Sequence, residues 1–92
     1  MSSEKDRQAV CSRVCQILGE VRIKRGLSMT TLAQKTGLSQ QAISYMEREM
    51  RTPNLDTLLR VADSLEVGLG DVINQASREV SAKTQKTNKT KK

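Results

Sequence analysis

Gln40 and Gln41 stand side by side near the middle of this 92-residue chain, directly behind Ser39. A glutamine amide donates and accepts at once. It can donate to N7 of adenine while accepting from N6–H, at the edge that adenine shows in the DNA major groove. If the segment is helical, Ser44, Tyr45 and Arg48 fall on the same outward side, and all of them can hydrogen-bond while none is acidic. Tyr45 has a second possible use, against a sugar or a phosphate. The residue types that catalysis needs are missing. The chain has no histidine, only two cysteines and no glycine-rich phosphate loop behind a strand. No nucleophile–base arrangement can be assembled from it, so no enzyme and no cofactor is expected.

For glutamines to reach a base, a helix end must protrude. Residues 28–53, SMTTLAQKTGLSQQAISYMEREMRTP, predict two short helices joined by a tight turn. Ser28 is a good cap for the first, because its hydroxyl can accept a free N–H of the opening turn. Leu32 and Ala33 supply apolar positions. Gly37 stands where a helix commonly ends in a left-handed residue. Ser39 caps the second helix, whose inward face is Ala42, Ile43 and Met46. Around this pair the periodicity predicts a long first helix over 5–25, a fourth helix over 55–65 capped by Asn54, and a short fifth over about 69–76. The buried face expected for the fourth is Leu55, Leu58, Leu59, Ala62 and Leu65. The first helix has an unusually wide apolar face. Val10, Val14, Ile17 and Val21 form one stripe beside Cys11, Cys15, Leu18 and Arg22, so residues 10–15 should pack on the last helix or on a second subunit.

The stretch from about residue 18 to residue 73 resembles the Cro and lambda-repressor-like, or XRE-type, helix-turn-helix family. The matching residues are Arg22, Gly26-Leu27-Ser28, Leu32-Ala33, Gly37-Leu38-Ser39, Ile43, Glu47, Arg51, Pro53, Leu55, Leu58-Leu59, Ala62, Leu65-Val67 and Asp71. The resemblance implies an all-α, five-helix lambda-repressor-like DNA-binding domain, here with an extended first helix and a disordered basic C-terminal tail. It implies base reading by Gln40, Gln41, Ser44 and Tyr45, with Ser39 opening the recognition helix. Arg48 and Arg51 would lie by the phosphate backbone, Arg51 within reach of a minor groove. Met29 departs from the family's usual glutamine, so Thr30 or Thr31 would take over a phosphate contact. The family's Arg22–Glu47 pair is a structural bridge between the first and third helices, not a reader of bases. Glu49 and Glu66 replace glycines of the family, and Gly68 replaces a capping serine; a left-handed Glu49 would cost ~1 kcal/mol.

Length fits one domain over residues 8–76, between a flexible 1–7 and a basic tail over 77–92. The net charge of +6 is unevenly spread. Residues 76–92 carry six basic and one acidic side chain, residues 22–51 carry six against two, and residues 52–75 carry one against four. The positive part inside the domain coincides with the two short helices, as an electrostatic footprint for phosphates requires. Lys83, Lys86, Lys89, Lys91 and Lys92 of the tail would hold DNA without sequence preference, or simply solubilise the terminus. No apolar run approaches 18 residues and no charged-then-apolar leader is present, so a cytoplasmic protein without a membrane span is the expectation. Cys11 and Cys15, four apart, read as small buried hydrophobes in a reducing compartment. An intrahelical disulfide at that spacing is geometrically poor, and a metal site would need ligands from a second subunit.

The function expected is sequence-specific binding of double-stranded DNA by a repressor-type transcriptional regulator. A module this small reads few base pairs. A homodimer spanning two half-sites one helical turn apart, ~34 Å, is therefore expected. Its surface would be the first helix or the last. Two alternatives stand beside this reading: an antitoxin with a toxin partner or a restriction–modification controller on the same domain, and a protein-interaction module that does not bind DNA.

Overall fold

Four consecutive helix ends in this chain are closed by the same backbone device. The helices are α1 (Glu4–Lys24), α2 (Met29–Thr36), α3 (Gln40–Glu47), α4 (Leu55–Ser64) and α5 (Leu69–Thr90). The computed structural model describes the backbone of residues 3–90 and the side chains of residues 3–82. After each of the first four helices one residue turns left-handed: Gly26 (φ 71°), Gly37 (74°), Glu49 (59°) and Glu66 (60°). The next N–H then reaches back five residues, from Leu27 to Arg22 O (3.1 Å), Leu38 to Ala33 O (3.1 Å), Met50 to Tyr45 O (2.9 Å) and Val67 to Ala62 O (3.0 Å). This closure satisfies carbonyls that a helix end otherwise leaves open. Glutamate at two of the four left-handed positions costs ~1–2 kcal/mol each. Helix starts are also closed. Ser28 accepts the Thr31 N–H at 3.0 Å, Ser39 accepts that of Ala42 at 3.0 Å and Asn54 accepts that of Thr57 at 2.8 Å.

The core is aliphatic, since the chain has one tyrosine and no other aromatic residue. Leu18, Leu32, Ile43, Met46, Val61 and Leu65 are its largest fully buried side chains. α2 packs on α3 and α4, α3 also meets α1, and α1 runs along α5. Val14, Ile17 and Leu18 share one buried cluster with Leu69, Val72 and Ala76. The wide apolar face of α1 therefore finds its partner in the last helix of the same chain.

Three expectations change. α1 begins at Glu4, where a flexible segment over 1–7 was expected, because Ser3 and Asp6 form a reciprocal capping box. α5 does not stop near residue 76 but continues to Thr90. Ala76 is buried, Val80 is half-buried, and the Arg13 Nε of α1 donates to Glu79 at 2.5 Å. The spacing Leu69, Val72, Ala76, Val80 thus extends the apolar stripe of α5 past its expected end. The tail lysines' side chains lie outside the described residues. On α4 the inward face is Val61, Ala62 and Leu65 with Leu58 partly covered. Leu55 and Leu59, expected inside, are 62% and 43% exposed.

One charged pair ties the first and third helices. Arg22 Nε and Nη2 donate to the two carboxylate oxygens of Glu47 at 2.6 and 2.9 Å, and Nη1 donates to Leu27 O at 2.6 Å. Both side chains are about a tenth exposed (11% and 10%). Gly19, inside α1, leaves the room this pair needs: a Cβ there would stand 3.4 Å from the Glu47 side chain. The carboxylate raises the Arg22 pKa further. Replacing Glu47 by alanine leaves the guanidinium without its anion in a largely covered site. Such a loss costs ~3–5 kcal/mol where burial is deep. Urea unfolding of Glu47→Ala should show a lower midpoint with an unchanged slope.

Candidate nucleic-acid interface

The outer side of α3 is one continuous polar surface, built by helical spacing. Gln41, Ser44, Tyr45 and Arg48 recur at intervals of three and four residues and so share a face. Ile43 and Met46, on the other side, are buried and anchor the helix to the core. Ser39 Oγ is engaged as the α3 cap, so the hydroxyl proton is what it can offer to a ligand. Gln40 and Gln41 are both exposed at the amino-terminal end of α3. That end carries unsatisfied N–H groups and a partial positive charge.

The side chains on this surface brace one another. Gln41 Nε2 donates to the Tyr45 hydroxyl at 2.6 Å. The Arg51 guanidinium lies 5.2 Å from the centre of the Tyr45 ring, a cation–π contact. Across the turn, Thr30 Oγ1 donates to Gln40 Oε1 at 3.3 Å. The structure thus pairs Thr30 with Gln40 and brings Gln41, Tyr45 and Arg51 together, the two sets meeting at the start of α3. Thr31 is half-buried and accepts from the Ser28 hydroxyl at 3.0 Å. It belongs to the start of α2 more than to the open patch. Arg48 is exposed at the C-cap of α3, about 12 Å along the axis from Gln40 at helical rise.

The two acids of this segment are turned away from the patch. Glu47 is held by Arg22. Glu49 accepts from Ser12 and, at 3.0 Å, from Gln16, both on α1. Those hydrogen bonds, Ser12's first and then Gln16's, hold the Glu49 carboxyl below its usual range. Gln40, Gln41, Arg48 and Arg51 are all exposed, and no ion pair to any of them occurs among the described residues.

The turn that sets α3 against α2 is stiffened in two ways. The buried Thr36 hydroxyl lies 2.9 Å from Leu32 O and 3.0 Å from Ala33 O, and its oxygen accepts from the Leu38 N–H at 3.3 Å. Arg60 of α4, fixed by Asp56 at 2.9 Å, donates to Thr36 O at 3.2 Å. The sequence alone marks neither Thr36 nor Arg60 for this bracing. Their only signal is a small polar residue before Gly37 and an i, i+4 charge pair on α4. Thr52 and Thr57 also line the groove beside Tyr45 and Arg51 and carried no motif that would have singled them out.

The cysteines divide. Cys11 is exposed and Cys15 buried, which corrects the expectation that both are interior. Burial, with smaller effects from Cys11 and Glu49, pushes the Cys15 thiol up to about 11. Among the described residues no cluster of metal-ligating side chains occurs and no helix is long and apolar enough to cross a membrane.

A short capped helix with an exposed amide-bearing start, braced by a second short helix, defines a helix-turn-helix DNA-binding domain. Residues 18–72 match the helix-turn-helix family model, and the chain belongs to that family. Over 54 residues it is 37% identical to a protein of Methanocaldococcus jannaschii named for an HTH-type transcriptional regulatory role, covering 59% of this chain and 17% of that protein. Among solved structures it is similar to a point mutant of the restriction–modification controller protein C.Esp1396I. The TM-score is 0.71 at 26% identity, over 79% of this chain and 95% of that one. The all-α domain is thus a DNA-binding regulatory module of the Cro and lambda-repressor-like type.

A thiol reagent at neutral pH should add once to the native protein, at Cys11, and twice in denaturant, as read by intact mass. Two rapid additions to the native form would contradict the burial of Cys15.

Proposed function

We propose that this chain binds specific sites in duplex DNA as a dimeric transcriptional controller of the restriction–modification kind. The observation that carries the reading is the exposed, mutually braced patch of Gln40, Gln41, Tyr45 and Arg51 on a family-typical recognition helix. The controller role is favoured over a general repressor by coverage. The likeness to C.Esp1396I takes in 95% of that protein, whereas the archaeal relative is matched over only 17%.

In this reading α3 enters the major groove and Gln40 and Gln41 address base edges. The bond to Tyr45 leaves Gln41 its amide oxygen and one N–H, which is the pair adenine requires. Ser44 and Tyr45 contact bases or sugars farther along. Thr30, Thr31 and Ser39 meet phosphate near the starts of α2 and α3, while Arg48 and Arg51 meet it on the other side. Sites selected from random duplexes should be two-fold symmetric. Gln41→Ala should lose ~1–3 kcal/mol on the best site and relax one position in each half. Arg51→Ala should weaken all sequences alike and lower the salt slope by about one. An unchanged preference for Gln41→Ala would reject its role as a reader.

Dimerisation is assigned to α4, not to α1 or α5. Apart from Ile23 near its end, which is exposed, α1 packs its apolar face on the core and on α5, whereas Leu55 and Leu59 stand one turn apart on α4 and both exposed. Leu55→Lys/Leu59→Lys should sediment as a folded monomer and bind operator more weakly; an unchanged dimer would place the interface elsewhere.

A further inference from the structure

Ser12 and Gln16 lie outside the family match, which begins at residue 18, yet both reach the loop that leaves the recognition helix. Gln16 Nε2 donates to Glu49 Oε2 at 3.0 Å, and the Ser12 hydroxyl donates to the other oxygen of that carboxylate. Glu49 is itself in an unfavourable backbone state, with φ at 59°. Glycine would hold that conformation at lower cost. A glutamate here gains two contacts to α1 that a glycine could not make. Two residues further on, Arg51 leaves the loop and lies over Tyr45. The groove beneath is walled by Gln8 and Cys11 of α1 on one side and by Arg51 and Pro53 on the other.

We propose that Ser12, Gln16 and Glu49 form a positioning clamp, by which the extended first helix fixes the exit of the recognition helix and so holds Arg51 in its DNA-contacting pose. None of the three need touch DNA. The left-handed Glu49 sets the direction in which the chain leaves α3, and its carboxylate anchors that turn to α1. Without the anchor the loop of residues 49–53 keeps its backbone closure, the start of α4 and the contact of Arg51 with Tyr45, and loses its ties to α1. Arg51 then samples positions away from Tyr45, and part of each binding event is spent on ordering it. This inference rests on the proposed contact of Arg51 with phosphate.

A double-mutant cycle separates the two. Ser12→Ala/Gln16→Ala retains the Glu49 charge and removes only its two donors, both on the molecular surface. Binding of the full chain to its selected duplex is measured across a salt series, with melting temperature as the control. The clamp predicts a ~5–10-fold loss of affinity, the size expected when one long side chain must be ordered on binding. It also predicts a salt slope near the parent's, because Arg51 still ends on the phosphate, and a melting temperature within about 4–8 °C of the parent, a modest change for a domain of this size. In an Arg51→Ala background the same pair of changes should cost almost nothing more. Parent affinity in the double variant, or an equal loss with and without Arg51, would overturn the clamp. If Arg51→Ala alone leaves affinity and salt slope unchanged, the phosphate contact fails instead, and the clamp with it.

Discussion

The bidentate pair of Arg22 and Glu47 is the interaction on which the rest of this structure depends. α3 is only eight residues long, too short to be stable by itself in water. Its inner side offers just Ile43 and Met46 to the core. Two such side chains limit where the helix sits but resist rotation about its axis weakly, and rotation is what would turn Gln40 and Gln41 away from a groove. The Glu47 carboxylate, gripped from α1 at the far end of α3, supplies that resistance. The same guanidinium also holds Leu27 O, the carbonyl just before the α2 cap. One arginine thereby sets α1, the entry to α2 and the end of α3 in a single frame, with Thr36 and Arg60 stiffening the turn between the two short helices.

The frame explains why the exposed surface can be both polar and ordered. Exposed glutamines and arginines ordinarily sample many rotamers, and binding must then absorb the cost of fixing them. Here Gln41 donates to the Tyr45 hydroxyl, Arg51 lies over the Tyr45 ring, and Gln40 receives a hydrogen bond from Thr30. Glu47 and Glu49, the two acids of this segment, are engaged by α1. The basic patch is therefore kept available by pairing Glu47 and Glu49 with α1 as much as by the excess of lysine and arginine.

Much of this was legible from residues alone, because the helix ends are local. Ser28, Ser39 and Asn54 each cap the helix they precede, and Gly37 closes α2 as its position implied. The Arg22–Glu47 bridge followed from resemblance, not from spacing, since nothing local joins residues 25 apart. What escaped was set by packing. Leu55 and Leu59 have the same composition and period as core residues, and only the placement of α4 against α2 and α5 shows that they face outward. The length of α5 depends on Arg13 and Glu79, which are 66 positions apart. Its weak continuation through Ala76 and Val80 was hidden by the polar residues around it. Ser12 and Gln16 carried no motif, and their partner Glu49 stood out only as a departure from the family's glycine.

The most direct measurement is the side-chain amide spectrum of the protein during titration with its selected duplex. The NH2 resonances of Gln40 and Gln41 should shift saturably and exchange more slowly with water. The Arg51 Nε–H should respond with them, while Gln8 and Gln75, on α1 and α5, stay in place. Responses confined to those two helices, with Gln40 and Gln41 unmoved at saturation, would contradict recognition through α3.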